Sequence, residues 1–154
     1  MRVYVVLLLL AGCQKGLDDP KPLPALDEAY FRCRVQPVLT KSCAAFACHG
    51  DARRYFHVFA RNRLRLQGTE KDRNAALGDA ERSANFDAAR GFVDGDDSLL
   101  LRKPLEGAAF HRGAEIFGGG NVFASRDDPD WKTLEAWTQG AKEDPTCVEP
   151  GSDQ

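Results

Sequence analysis

Cys43 and Cys48 bracket four residues, and His49 follows the second cysteine at once, in the run Cys43-Ala44-Ala45-Phe46-Ala47-Cys48-His49-Gly50. Two thiols with an imidazole directly after the second are the donor set by which c-type haem is attached. Each thiol adds to one vinyl group of the porphyrin, and the adjacent imidazole reaches the iron. The usual motif has two residues between the cysteines. A four-residue spacer can still bridge two vinyl groups on one edge of the macrocycle. A chain organised by this run must wrap a flat apolar ligand, which then serves as a large core element. Little regular structure is needed elsewhere. The chemistry implied is the carriage of electrons, not hydrolysis or group transfer.

Iron held this way commonly takes Met or His as its second axial ligand. Met1 is the only methionine. It leaves with the N-terminal segment described next, so methionine ligation is excluded. Two further histidines remain. His111 lies in Phe110-His111-Arg112-Gly113, far along the chain and beside Gly-rich backbone. A distant segment of this kind can fold over the opposite face of the ring. His57 is eight residues from His49 and would have to swing round the porphyrin edge within that span. Its neighbours Tyr55, Phe56 and Phe59 suit packing against the ring. An iron with no sixth protein ligand is the third alternative. Two histidines favour a lower reduction potential than a His/Met pair, whereas an open site admits a small molecule.

The N-terminus addresses the compartment. Arg2 supplies a positive charge, Val3 to Ala11 form a short apolar run, and Leu10-Ala11-Gly12-Cys13 closes it. The run is too short for a spanning helix. It resembles a bacterial lipoprotein signal, which implies cleavage before Cys13 and acylation of its thiol and new amine. Several acyl chains anchor stably to a bilayer where one would not. Gln14, not Asp, follows the cysteine. The expected location is therefore the bacterial cell envelope, lipid-anchored on the outer membrane and facing the periplasm. A plain secretory signal is the alternative.

Removing twelve residues from 154 leaves 142, enough for one domain. Losing Arg2 takes the formal net charge from -2 to -3. Charge is mixed along the sequence with no basic stripe, which argues against nucleic acid as a partner. Of five cysteines, Cys13 takes lipid and Cys43 and Cys48 take haem. Cys33 and Cys147 are left to pair in an oxidising compartment, tying the first helix to the tail. In the chain-entropy model such a loop contributes roughly 4–5 kcal/mol. In the alternative arrangement Cys43 and Cys48 bond to each other and no haem is present. The chain is then a disulfide-stapled surface lipoprotein acting as an interaction module.

Four regions follow: a signal over 1–12, a lipidated Pro-rich tether over 13–25, a domain over 26–147 and a disordered tail over 148–154. Pro20, Pro22 and Pro24 favour an extended, semi-rigid spacer. Asp27 can cap a helix to about Lys41, with a break or a second start near Gln36 because Pro37 denies it a hydrogen bond. Tyr55 to Phe59 reads as a strand or an extended loop, and 61–79 as a solvated excursion. Asp79 or Ser83 opens a helix to about Phe92, with Phe86, Ala89 and Phe92 on one stripe. Ser98 is placed to cap a short helix, Leu99 to Lys103, stopped by Pro104. Residues 107–123 are Gly-rich. Asp128-Pro129-Asp130 starts the last helix, with Trp131, Leu134 and Trp137 on its inner face and Gly140 at its end. The fold class is all-α.

The order of residues carries a further likeness. Tyr30-Phe31 and Val35-Gln36-Pro37-Val38-Leu39 lead into the cysteine run. Asn85-Phe86, Ser98-Leu99-Leu100-Leu101, Lys103-Pro104, His111 and Gly113 follow, and then Asp130-Trp131, Leu134, Trp137 and Gly140-Ala141. Over roughly 28–141 this resembles the planctomycete-type cytochrome c domains of bacterial periplasmic proteins. The resemblance implies a small mono-haem cytochrome c-like fold of short helices and long loops around haem c. First and last helices would pack together, with His111 where such domains place a sixth ligand. The implied role is a non-enzymatic electron carrier that meets redox partner proteins. A zinc set of Cys33, Cys43, Cys48 and His49 is disfavoured, since adjacent ligands chelate awkwardly. The acidic pairs Asp94 to Asp97 and Asp127-Asp128 read as turns and caps.

Overall fold

A computed structural model of the chain describes residues 21–69, 73–95, 97–105 and 122–150. Cys13 and His111, expected to carry lipid and to ligate iron, lie outside the described residues. Among those residues the protein is all-α, with no strand and with a bridge between Leu105 and Phe123. No described helix is long and apolar enough to cross a membrane.

Helix α1 runs in three consecutive stretches, Glu28–Tyr30, a π-helical turn Phe31–Val35, and Gln36–Ser42. The Asp27 carboxylate caps it by accepting from Tyr30 N at 2.6 Å. The second start expected near Gln36 is present: the α-helical pattern resumes there after the π turn. A proline ring in a regular helix collides with the carbonyl four residues earlier. Here the Gln36 amide bonds to the Phe31 carbonyl, five residues back, and the widened turn lets the helix pass Pro37 unbroken.

Helix α2 spans Asp79–Arg90. Its N-cap is Gly78, whose amide donates to the Glu81 carboxylate at 3.0 Å. The short α3, Leu99–Arg102, stops before Pro104. Ser98 precedes it but does not cap it. The buried hydroxyl turns back instead, donating to the Gly95 carbonyl at 2.7 Å and accepting from the Asp94 amide. Helix α4, Pro129–Thr138, is capped by Asp128, which accepts from Asp130 N. Gly140, at φ +88°, ends it. Bonds from Gly140 N to the Trp137 carbonyl and from Ala141 N to the Ala136 carbonyl close a Schellman motif.

The core lies where α1, α2 and α4 meet. Trp131, Leu134 and Trp137 are all buried, as their spacing predicts. Trp137 packs 5.1 Å from Phe31 and 5.9 Å from Phe86, and Phe31 meets Phe86 edge-on at 5.3 Å. The indole N–H groups are satisfied as well: Trp137 donates to the Asp27 carbonyl and Trp131 to the Leu101 carbonyl. Cys33, inside the π turn, is bonded to Cys147. Beside it Arg32 donates to the Pro145 and Cys147 carbonyls, and Arg34 pairs with Glu143 at 2.6 Å. Beyond the disulfide the chain stays against the domain, with Glu149 paired to Arg82 at 2.8 Å. At the other end of the described chain, Lys21 pairs with Asp94.

The stretch 61–79, expected to be solvated, is held by a buried ion pair. The Arg65 and Glu81 side chains are each only 7% exposed and meet at 2.8 Å. Arg65 also donates to the carbonyls of Arg73, Ala75 and Ala76. Burial works to raise the Glu81 pKa. Hydrogen bonds from Arg65 and from the amides of Leu66 and Gly78 outweigh it and bring the pKa down to about 2. A carboxylate with a depressed folded-state pKa stabilises the fold fully above its unfolded value and loses that contribution as pH falls toward the folded value. Acid titration followed by helical circular dichroism should show stability falling between about pH 4.5 and 2. Glu81→Gln removes the charge facing the buried Arg65 guanidinium, which keeps its bonds to the Arg73, Ala75 and Ala76 carbonyls, and should cost about 1–3 kcal/mol at neutral pH. It should also flatten the acid limb, and an unchanged limb would contradict this role.

Candidate functional site

Cys43 is the residue directly after α1 and sits at its C-cap. The chain then coils on itself rather than extending. Amides of Cys43 and Ala44 both bond to the Leu39 carbonyl, Cys48 N to Ala45 O, His49 N to Cys43 O, and Gly50 N to Ala45 O. Ala44 is fully buried at the centre of the coil. This folding absorbs the four-residue spacer, so that Cys43, Cys48 and His49 line one pocket.

Gly50 makes the coil possible. A Cβ there would stand 2.2 Å from the Ala44 carbonyl oxygen and 2.9 Å from the Ala45 carbonyl carbon. Both obstacles are backbone, so no side-chain shift relieves them.

The pocket is apolar apart from its chemistry-bearing groups. Leu39 and Leu134 come from α1 and α4, Leu99 and Leu100 from α3, and Phe56 and Phe92 from the loops. Lys103 adds a positive charge, and Pro104 and Val122 close the lining. The enclosed space between the described residues is about 60 Å³, a slot rather than a chamber. Leu105 and Phe123, next in the chain to the lining residues Pro104 and Val122, bridge to each other. His111 belongs to the intervening stretch.

His49 is fixed in orientation. Its Nδ1 donates to the Phe56 carbonyl at 2.8 Å. A carbonyl oxygen only accepts, so the proton sits on Nδ1 and the lone pair of the neutral ring falls on Nε2. A backbone carbonyl on the far nitrogen is the usual second partner of a metal-ligating histidine. The loop carrying Phe56 is itself held firmly. Val58 N donates to the His49 carbonyl at 2.7 Å, and the buried Asn85 accepts from Phe59 N while donating to Phe59 O and to Gln36 Oε1.

Both thiols are free, Cys43 and Cys48 being unbonded to each other. Burial pushes the Cys43 thiol up to about 12, with the neighbouring Cys48 and Asp130 adding to the shift. It is therefore a neutral S–H at physiological pH.

Of the sequence-predicted residues, Cys43, Cys48 and His49 come together. His57 does not join them. In the extended segment Phe56 lines the pocket, while His57 bonds through Nδ1 to the Arg54 carbonyl and packs edge-on against Phe59. Tyr55, expected to pack on the ring, is 94% exposed. The zinc set does not form, since Cys33 is in the disulfide. Among the described residues no three His, Cys, Asp or Glu side chains are grouped to hold a metal ion. Sequence reading assigned no role to the Asn85 clamp or to Lys103, both of which depend on contacts between distant segments.

Comparison of the chain with protein-family models, with curated proteins and with solved structures finds no match. Gly50→Ala should force the coil open. Haem retention after expression with a c-type maturation system should fall sharply, and the melting temperature should drop. Wild-type loading and melting in this variant would show that the coil does not position the thiols.

Proposed function

We propose that the protein is a lipid-anchored c-type cytochrome, a one-electron carrier with a cytochrome c-like fold on the outer membrane, facing the periplasm. The observation that carries this reading is the convergence of two free thiols and an oriented imidazole on one apolar pocket. The donor set fits haem c. Cys43 and Cys48 would hold it, each S–H adding across one vinyl double bond with no net change of oxidation state. His49 would ligate through Nε2, and His111, outside the described residues, would be the second axial ligand. Lys103 offers a cation to the macrocycle's carboxylates. When bound, the haem supplies an Fe(III)/Fe(II) couple. The protein's part is to orient the His49 ring through Phe56, to exclude water with leucine and phenylalanine side chains, and so to tune the couple. Because the enclosed slot is narrow, Phe56 and Phe92 would have to part to admit a macrocycle. Cys13 would bear the lipid, and partners would be other redox proteins.

Co-expression with a c-type maturation system tests the reading. Haem should stay with the polypeptide through acid-organic extraction, and Cys43→Ala with Cys48→Ala should abolish that. His111→Ala should convert a low-spin spectrum to high-spin, while His57→Ala leaves it unchanged. A colourless product with Cys43 bonded to Cys48 would instead establish the haem-free interaction module.

A further inference from the structure

Charge that reads as mixed along the chain is divided between two segments. Positions 52–78 hold seven Lys and Arg against two Asp and Glu. Positions 79–150 hold eight against fifteen. The basic segment is the one that packs beside the cysteine loop.

The local geometry concentrates that charge. Arg54 Nη2 donates to the Ala47 carbonyl at 3.1 Å, fixing a guanidinium on the loop between Phe46 and Cys48. Arg63 is anchored by a bond to the Thr40 carbonyl at 2.9 Å. Together with Phe46, Gly50 and Leu64 it lines a cleft of about 710 Å³ on the outer side of the loop. Asp51 is the carboxylate on this face, and it is already paired with Arg53 at 2.6 Å. Two large side chains on the same segments stand in solvent, Phe46 in the cleft with Arg63 at 73% exposure and Tyr55 next to Arg54 in the chain at 94%. Exposed aromatics interleaved with arginine are the composition of protein interface centres.

We propose that this face, centred on Phe46, Tyr55, Arg54 and Arg63, is a docking surface for a protein partner with an acidic patch. It deepens the electron-carrier reading and rests on it. Phe46 lies on the loop between Cys43 and Cys48, and Arg54 is bonded to that same loop, so this face is carried by the segment that would hold the haem. A protein seated here would receive or supply electrons by the shortest route through the loop. The arginines would steer the encounter even though the chain as a whole is negative.

Binding of a fluorescein-labelled decaglutamate peptide, read by anisotropy on both the haem-loaded and the haem-free folded protein, tests the surface. Affinity should fall as salt is raised, since surface charges are screened within about 8 Å at physiological ionic strength. Arg54→Gln with Arg63→Gln should weaken binding about tenfold, and Asp97→Asn with Asp127→Asn should leave it unchanged. In the haem-loaded protein, ferricyanide should oxidise the reduced form more slowly as salt rises. The overall negative charge alone predicts the opposite slope. A rate that climbs with salt, no peptide binding, or equal loss in both variants would overturn the proposal. So would stronger binding to phosphatidylglycerol vesicles through the same arginines, which would make this a membrane-facing surface. A protein that takes up no haem but binds the peptide as described would refute the cytochrome and leave the acidic-partner surface standing.

Discussion

Packing of Trp137 against Phe31 and Phe86 is the contact on which the rest is built. It joins the last helix to the first and to the middle one, and its indole N–H closes onto the Asp27 carbonyl at the very start of α1. That bond and the Asp27 side-chain cap share one residue, so helix initiation and tertiary packing are coupled. Once α1 is fixed along its length, its C-terminal end is fixed too, and Cys43 is the next residue. The site thus inherits its position from a core to which α1 contributes residues four to twelve places before it. The Cys33–Cys147 bridge reinforces the arrangement from the side, on the same helix and within the π turn.

The cysteine loop shows how an unusual spacing is reconciled with one pocket. Four intervening residues held in an extended chain would carry Cys48 away from Cys43. Coiled around a buried Ala44, they bring it back, and Gly50 is the residue that tolerates the resulting closeness of backbone to backbone. The histidine that follows is then held from two sides, by its own carbonyl bonded to Val58 and by its Nδ1 bonded to Phe56. Asn85 stabilises the Phe56–Ala60 segment by satisfying both backbone groups of Phe59 in the interior, where leaving them unpaired would be costly.

What the sequence made legible were features fixed by local chemistry. Asp27 and Asp128 announce helix starts, Gly140 a helix end, and the spacing of Trp131, Leu134 and Trp137 a buried face. Adjacency placed His49 beside Cys48. The features that escaped depend on segments far apart in the chain. Pro37 signals a break or a second start, but not the π turn through which the helix restarts at Gln36. Ser98 has the chemistry of a cap, but the turn at Asp94–Gly95 competes for the same hydroxyl. Arg65 looks solvated among other charges until Glu81 is brought to it. The clamp of Asn85 on Phe59 and Gln36 joins three separate segments, and no short-range pattern signals it.

The central claim is that two sulfurs and one imidazole share a haem. Intact-mass measurement on the mature polypeptide, produced in cells that carry out c-type haem attachment, tests this most directly. The account predicts a polypeptide heavier than its amino acids and acyl groups by one haem, with the increment on the peptide containing Cys43 and Cys48. A mass accounted for by amino acids and acyl groups alone would contradict it.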